Sequence, residues 1–120
     1  MDPYAQIQYG NEEQRSGVAK GQGRNPIWNE RLMFTADYPR DESHKYKLII
    51  KIMDRRRHSP DVALGETTIY LKDLVSYGVE LGKAEMRMQK YRVVLPDKRY
   101  YGEISVANSF VLEENDQPKL

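Results

Sequence analysis

Arg55-Arg56-Arg57-His58 sets four potential cations in succession inside the stretch Met53 to Glu66, with Asp54 before them and Asp61 after. The chemistry open to such a run is electrostatic. Beside an anionic surface each basic residue contributes ~1 kcal/mol, so the run could supply about 3–4 kcal/mol, a weak attachment that salt would screen. A charged turn facing water has the same composition, and the run by itself does not separate the two. Lys45, Lys47 and Lys51 form a second cationic set on one face of the stretch ahead of the loop. Arg15, Lys20 and Arg24 lie on earlier segments, where Glu12, Glu13 and Glu30 offset part of their charge. Tyr100 and Tyr101 beside Lys98 and Arg99 make a local basic and aromatic cluster, a pattern able to stack on single-stranded nucleic acid, although a turn leading into a strand accounts for it equally.

Catalysis finds no comparable set. His44 and His58 both fall in predicted loops and cannot make a metal triad, and His58 next to Ser59 in sequence does not create the spatial geometry of a base and its nucleophile. Gly21-Gln22-Gly23 stands at no strand-to-helix junction where it could cradle phosphate. With no cysteine, thiolate nucleophiles, thiolate metal sites and disulfides are excluded, which fits a reducing compartment. The chain reads as a binding protein and not an enzyme.

The elements that must position these charges are short. At 120 residues, with 39 % hydrophobic and 31 % charged residues, the chain can bury one core, and its apolar residues fall in alternating groups suited to sheet faces. The net charge of +1 rules out a global field, so any electrostatic function is local. No apolar run approaches the roughly 18 residues that span a bilayer, and the first residues lack the apolar core of a secretory signal.

Strands are predicted at Tyr4 to Tyr9, at Gln14 to Lys20 as its hairpin partner after the Gly10-Asn11 turn, and at Trp28 to Ala36 burying Leu32 and Phe34. The Gly21 to Pro26 loop and the polar connection Asp37 to His44 flank that third strand. Tyr46, Leu48, Ile50 and Ile52 alternate with lysines in the central strand, and Leu64 to Leu71 resumes the pattern beyond the basic loop. Lys72 to Tyr77, ended by Gly78, reads as one short helical turn. Lys83 to Val94 changes its inward face midway and so predicts a bulge. After the Pro96 to Arg99 turn, Gly102 to Val111 is the last strand, with Ile104, Val106 and Phe110 inward. Residues 1–112 are read as one domain and 113–120 as a polar, disordered tail. Short strands between Gly and Pro turns predict an all-β antiparallel Greek-key sandwich.

Three separated stretches then match one family. Asp2-Pro3-Tyr4, Asn25-Pro26-Ile27-Trp28-Asn29-Glu30, and Lys47 to Asp54 running into Leu64-Gly65-Glu66 resemble the C2 domain. Ala84-Glu85, Lys90 to Val94 and Gly102 to Val106 are similar to small single-domain plant C2 proteins of the elicitor-responsive type and, more distantly, to small phloem C2 proteins. The resemblance spans about residues 2 to 111.

It implies a C2 sandwich of the second topology, with about seven of its eight strands. The family's N-terminal strand, some twenty residues ahead of the Asp-Pro-Tyr, has no counterpart here. The expected gap would be met by rearrangement, by a second molecule or by a partner's strand, or the chain is a shortened form of a longer protein.

Family members hold Ca²⁺ between loop carboxylates at one end, because the ion takes six to eight oxygens and carboxylates also cancel its charge. Carried over position by position, Asp2 and Asp54 remain as ligands, while Arg56 and Val62 stand where two further aspartates are expected. Asp61 is one residue displaced. Asp2, Asp54 and Asp61 are therefore expected to be vestigial metal ligands, with no cofactor required and Ca²⁺ bound weakly or not at all. The resemblance implies a cytoplasmic signalling or defence-response module that is peripheral at membranes and binds anionic phospholipid through Arg55, Arg56, Arg57, His58, Lys45, Lys47 and Lys51. The alternative on the same scaffold is a protein-interaction or RNA-binding module, with a protein partner or a homodimer formed through exposed strand edges.

Overall fold

The computed structural model describes residues 2–19, 28, 30–35 and 46–112. Alternating side chains form β1 (Pro3–Tyr9), and Gly10, at a φ of 58° that favours glycine, turns the chain into β2 (Glu12–Arg15). Beyond Arg15 the pairing continues less regularly. The Ser16 amide donates to the Ala5 carbonyl at 2.8 Å, and the Ser16 hydroxyl accepts from the Ala5 amide at 2.8 Å. The other elements are β3 (Lys47–Asp54), β4 (Val62–Tyr70), α1 (Lys72–Leu81), β5 (Lys83–Val94) and β6 (Tyr100–Val111).

Among the described residues all pairings are antiparallel, in the order β2-β1-β3-β4-β5-β6. β4 and β5 share one register position, Glu66 opposite Val94, so β2-β1-β3-β4 forms one layer and the β5-β6 hairpin folds away from it. Between the layers lies the core. Ala5, Ile7 and Tyr9 of β1, Leu48 and Ile50 of β3 and Ile69 of β4 are buried there, and Met86, Tyr91, Ile104, Val106 and Phe110 of the hairpin pack against them. This is an all-β sandwich, with a single helix among the described residues. The bulge expected in β5 is present as a register shift between Met86 and Gln89, which lets Met86 before it and Tyr91 and Val93 after it face inward.

Besides β2, which begins at Glu12 where Gln14 was expected and whose ladder runs only to Arg15, two elements depart from the sequence expectation. Trp28 and residues 30–35 lie in no strand, whereas a strand was expected from Trp28 to Ala36. Leu32 and Phe34 still pack on the core, with the Phe34 ring 6.2 Å from that of Tyr9. Alternation reports which side chains face inward, not whether a backbone joins a ladder. The described residues accordingly hold six strands. The expected disordered tail, 113–120, lies outside them.

The helix is the second departure. It runs ten residues, past the expected stop at Gly78, and ends at Gly82 with φ 89°. Gly78 is there for close approach and not to terminate the helix. A β-carbon on it would stand 2.1 Å from Cδ1 of Phe110 in β6. For Gly78→Ala, mid-helix propensity favours alanine by about 1 kcal/mol while overpacking costs about 1–3 kcal/mol. With a ring atom so close, the overpacking cost falls in the upper half of that range, so we expect a net loss of roughly 1–2 kcal/mol, read by chemical denaturation, with part of it recovered when Phe110 is also changed to Leu.

Candidate functional site

Antiparallel pairing gathers one end of the molecule. Pro3 pairs with Asp54, Asp54 with Val62, Glu66 with Val94 and Val94 with Tyr100. The start of β1, the loop from Arg55 to Asp61 and the Leu95 to Arg99 turn therefore share that end. The four successive cations are exposed there.

Asp54 closes β3 with its side chain directed back under the loop, and it is only 7 % exposed. Its Oδ1 accepts the Asp2 amide at 3.0 Å, and its Oδ2 accepts Nε of Arg56 at 3.1 Å in an ion pair. Asp61, from the far side of the loop, accepts the Arg56 backbone amide on Oδ1 at 3.0 Å and the Tyr4 hydroxyl on Oδ2 at 2.6 Å. Arg55 completes the closure: its amide donates to the Asp2 carbonyl at 3.0 Å, and its guanidinium stands 3.8 Å from the Asp2 carboxylate. The hydrogen bond to Asp61, reinforced by burial, holds the Tyr4 hydroxyl above its ordinary range. The same bond, joined by the Arg56 amide, holds the Asp61 carboxyl below its ordinary range.

Of the aspartates that the sequence marks as metal ligands, Asp2 and Asp54 thus face arginine side chains, and Asp61 is held by the Tyr4 hydroxyl and the Arg56 amide. Among the described residues no three His, Asp or Glu side chains converge as a metal-holding group. A guanidinium stands on Asp54 at the cluster's centre, and a nearby cation opposes entry of a divalent ion.

The predicted cations divide accordingly. Arg55 and Arg56 belong to the loop's internal closure. Arg57 and His58 are exposed and make no hydrogen bond or ion pair among the described residues. Lys47 and Lys51 lie on the outer face of β3, opposite Tyr70 and Glu66 of β4, with Nζ of Lys47 6.0 Å from the Tyr70 ring centre. Lys45 lies outside the described residues. Trp28 is half-buried and donates its indole N–H to the Pro3 carbonyl at 3.2 Å.

Sequence reasoning missed Lys98 as a member of this end. It is exposed in the β5-β6 turn at a φ of 74°, beside Arg99, whose guanidinium is held at 2.6 Å by Asp97. The available signal was parity: two antiparallel reversals after β3 return the chain to the end where β3 stops. Counting strands would have placed Lys98 beside the basic loop.

The chain was compared with known proteins. The sequence profile of the C2 domain family matches residues 1–93. The chain is 42 % identical over 113 residues to 16 kDa phloem protein 1 of Arabidopsis thaliana, covering 93 % of this chain and 72 % of that protein. It is 43 % identical over 117 residues to elicitor-responsive protein 1 of Oryza sativa subsp. japonica, covering 98 % and 73 %. A solved structure, a C2 domain-containing protein from a putative elicitor-responsive gene, superposes with a TM-score of 0.75 at 33 % identity, over 99 % of this chain and 78 % of that one.

Proposed function

The chain belongs to the C2 domain family, and on that premise we propose that it is a non-catalytic module that binds anionic phospholipid membranes largely without Ca²⁺. The observation that carries this reading is the Arg56 guanidinium on the buried Asp54 carboxylate. The loop supplies its own cation, so its closure needs no metal. The exposed charge at the same end, Arg57 and Lys98, then meets the anionic leaflet, each contributing ~1 kcal/mol, with His58 beside them and Lys47 and Lys51 on the adjoining face. No helix among the described residues is long and apolar enough to cross a membrane, and the attachment proposed is peripheral, at the cytoplasmic leaflet. The elicitor-responsive relatives support a place for this binding in a plant signalling or defence response.

Vesicle co-sedimentation tests the residues. Changing Arg57 and Lys98 together to Ala removes ~2 kcal/mol of attraction, so affinity for phosphatidylserine vesicles should fall about thirtyfold. The parent chain should ignore phosphatidylcholine vesicles and release from anionic ones as salt rises. Unchanged affinity in the double variant would move the site to the Lys47 and Lys51 face. Retention by single-stranded RNA with none by vesicles would replace the membrane reading with the nucleic-acid one.

A further inference from the structure

A groove of about 750 Å³ lies along β4, its walls including Lys51, Glu66, Thr68, Tyr70, Pro96 and Lys98. Pro96 and Lys98 follow the point where Val94 meets Glu66, and Thr68 and Tyr70 lie on the other side of that point. β4 is laddered to β3 along this whole stretch, but from Thr67 to Tyr70 its other side has no ladder partner among the described residues. Such a strand presents the N–H and C=O of every second residue to the open side. An extended chain rises about 3.3 Å per residue, so the free run accommodates a strand of roughly four residues. The flanking charge is unbalanced. Lys51 and Lys98 line the groove without an ion-pair partner among the described residues, and Lys47 stands over Tyr70, against the single carboxylate of Glu66. The Tyr70 ring, 70 % exposed, offers an apolar face at the rim.

We propose that this groove receives an extended acidic peptide segment of a partner protein, which adds a strand to β4 and places carboxylates on Lys51 and Lys98. The backbone argues for peptide over the other anions. A strand edge offers alternating donors and acceptors, which another peptide backbone matches in both roles, whereas a phosphate headgroup or a nucleic acid backbone offers mainly acceptors. Side chains on the added strand would alternate faces, so carboxylates at every second position could reach the lysines.

The test is made in solution without vesicles, so its failure is separate from failure of the membrane reading. A labelled peptide of about eight residues, alternating Glu with Thr or Val, is titrated into the full chain and followed by fluorescence anisotropy and by amide chemical shifts. Saturable binding is expected, with shifts centred on Thr67 to Tyr70. Lys51→Glu with Lys98→Glu should weaken it about tenfold or more, and N-methylation of the peptide's pairing amides should abolish it. Equal binding of the N-methylated peptide would reduce the contact to charge attraction and overturn strand addition. So would shifts confined to the Arg55 to His58 loop, or no binding at all. The charge-reversed chain should keep the parent's denaturation midpoint, as surface substitutions do.

Discussion

Arg56→Asp should turn the loop cluster into a Ca²⁺ site, with a Kd on the order of 10⁻⁴–10⁻³ M, as suits a cation site with few and imperfectly placed carboxylates. In the parent chain the Arg56 guanidinium occupies Oδ2 of Asp54 while the Arg56 amide holds Asp61. The substitution removes the positive charge, leaves the backbone bond in place and adds a carboxylate between Asp54 and Asp61. Asp2 already joins Asp54 through its amide at 3.0 Å, so its carboxylate is near at hand. The cost is also specific. Without metal, Asp54 keeps one amide donor but loses its counter-charge, and because Arg56 is half exposed we expect a loss of about 1–2 kcal/mol, below the range for fully buried pairs. Adding Ca²⁺ at about ten times the Kd should restore roughly 1.4 kcal/mol. Titration calorimetry and denaturation with and without Ca²⁺ read both effects. Arg56→Ala should show the destabilisation without the rescue. If Arg56→Asp bound no Ca²⁺ and lost no stability, the guanidinium would be a surface ornament of the loop and not its closing cation.

Gly65→Ala should be the most destabilising single methyl added to the sandwich, at about 2–3 kcal/mol, the upper range for overpacking. Gly65 sits in β4 next to the one register position that joins the two layers. Its β-carbon would fall 2.5 Å from Cγ1 of Val93 and 3.0 Å from the Val94 carbonyl oxygen. A side chain can rotate away from the first contact. The second is backbone, and moving it pulls the β5 end from β4. The variant should therefore lose stability and also loosen amide protection around Glu66 and Val94 in hydrogen exchange, while Gly10→Ala, with nothing within 4 Å, should show only the strain of its positive φ. A loss at Gly65 below 0.5 kcal/mol would mean that the layers are not held together at this junction.

The strands were largely legible because apolar alternation is a direct record of two-sided burial. Leu48, Ile50 and Ile69 occupy the core faces that their spacing predicts, and even the bulge in β5 was visible as the change of face between Met86 and Tyr91. Glycine was less transparent. Gly78 looks like a helix stop in sequence, yet its role is set by Phe110, more than thirty positions away, and no local pattern carries that contact. The site divided in the same way. Arg56 in place of an expected carboxylate was readable, whereas the direction of its side chain onto Asp54 depends on torsions and on the burial of Asp54. The Tyr4 to Asp61 hydrogen bond joins positions 57 residues apart, and neither residue hints at the other. Lys98 was missed because membership of an end is a property of topology, fixed by strand count and not by neighbours in the chain.

The most direct test of membrane binding without a metal is co-sedimentation of the unmodified chain with phosphatidylserine vesicles, once in chelator and once in millimolar Ca²⁺, at low and raised salt. The expected result is equal binding in both, lost as salt screens Arg57, Lys98 and their neighbours. Binding that appears only with Ca²⁺ would contradict it, because the cation at the loop would then have to come from solution and not from Arg56.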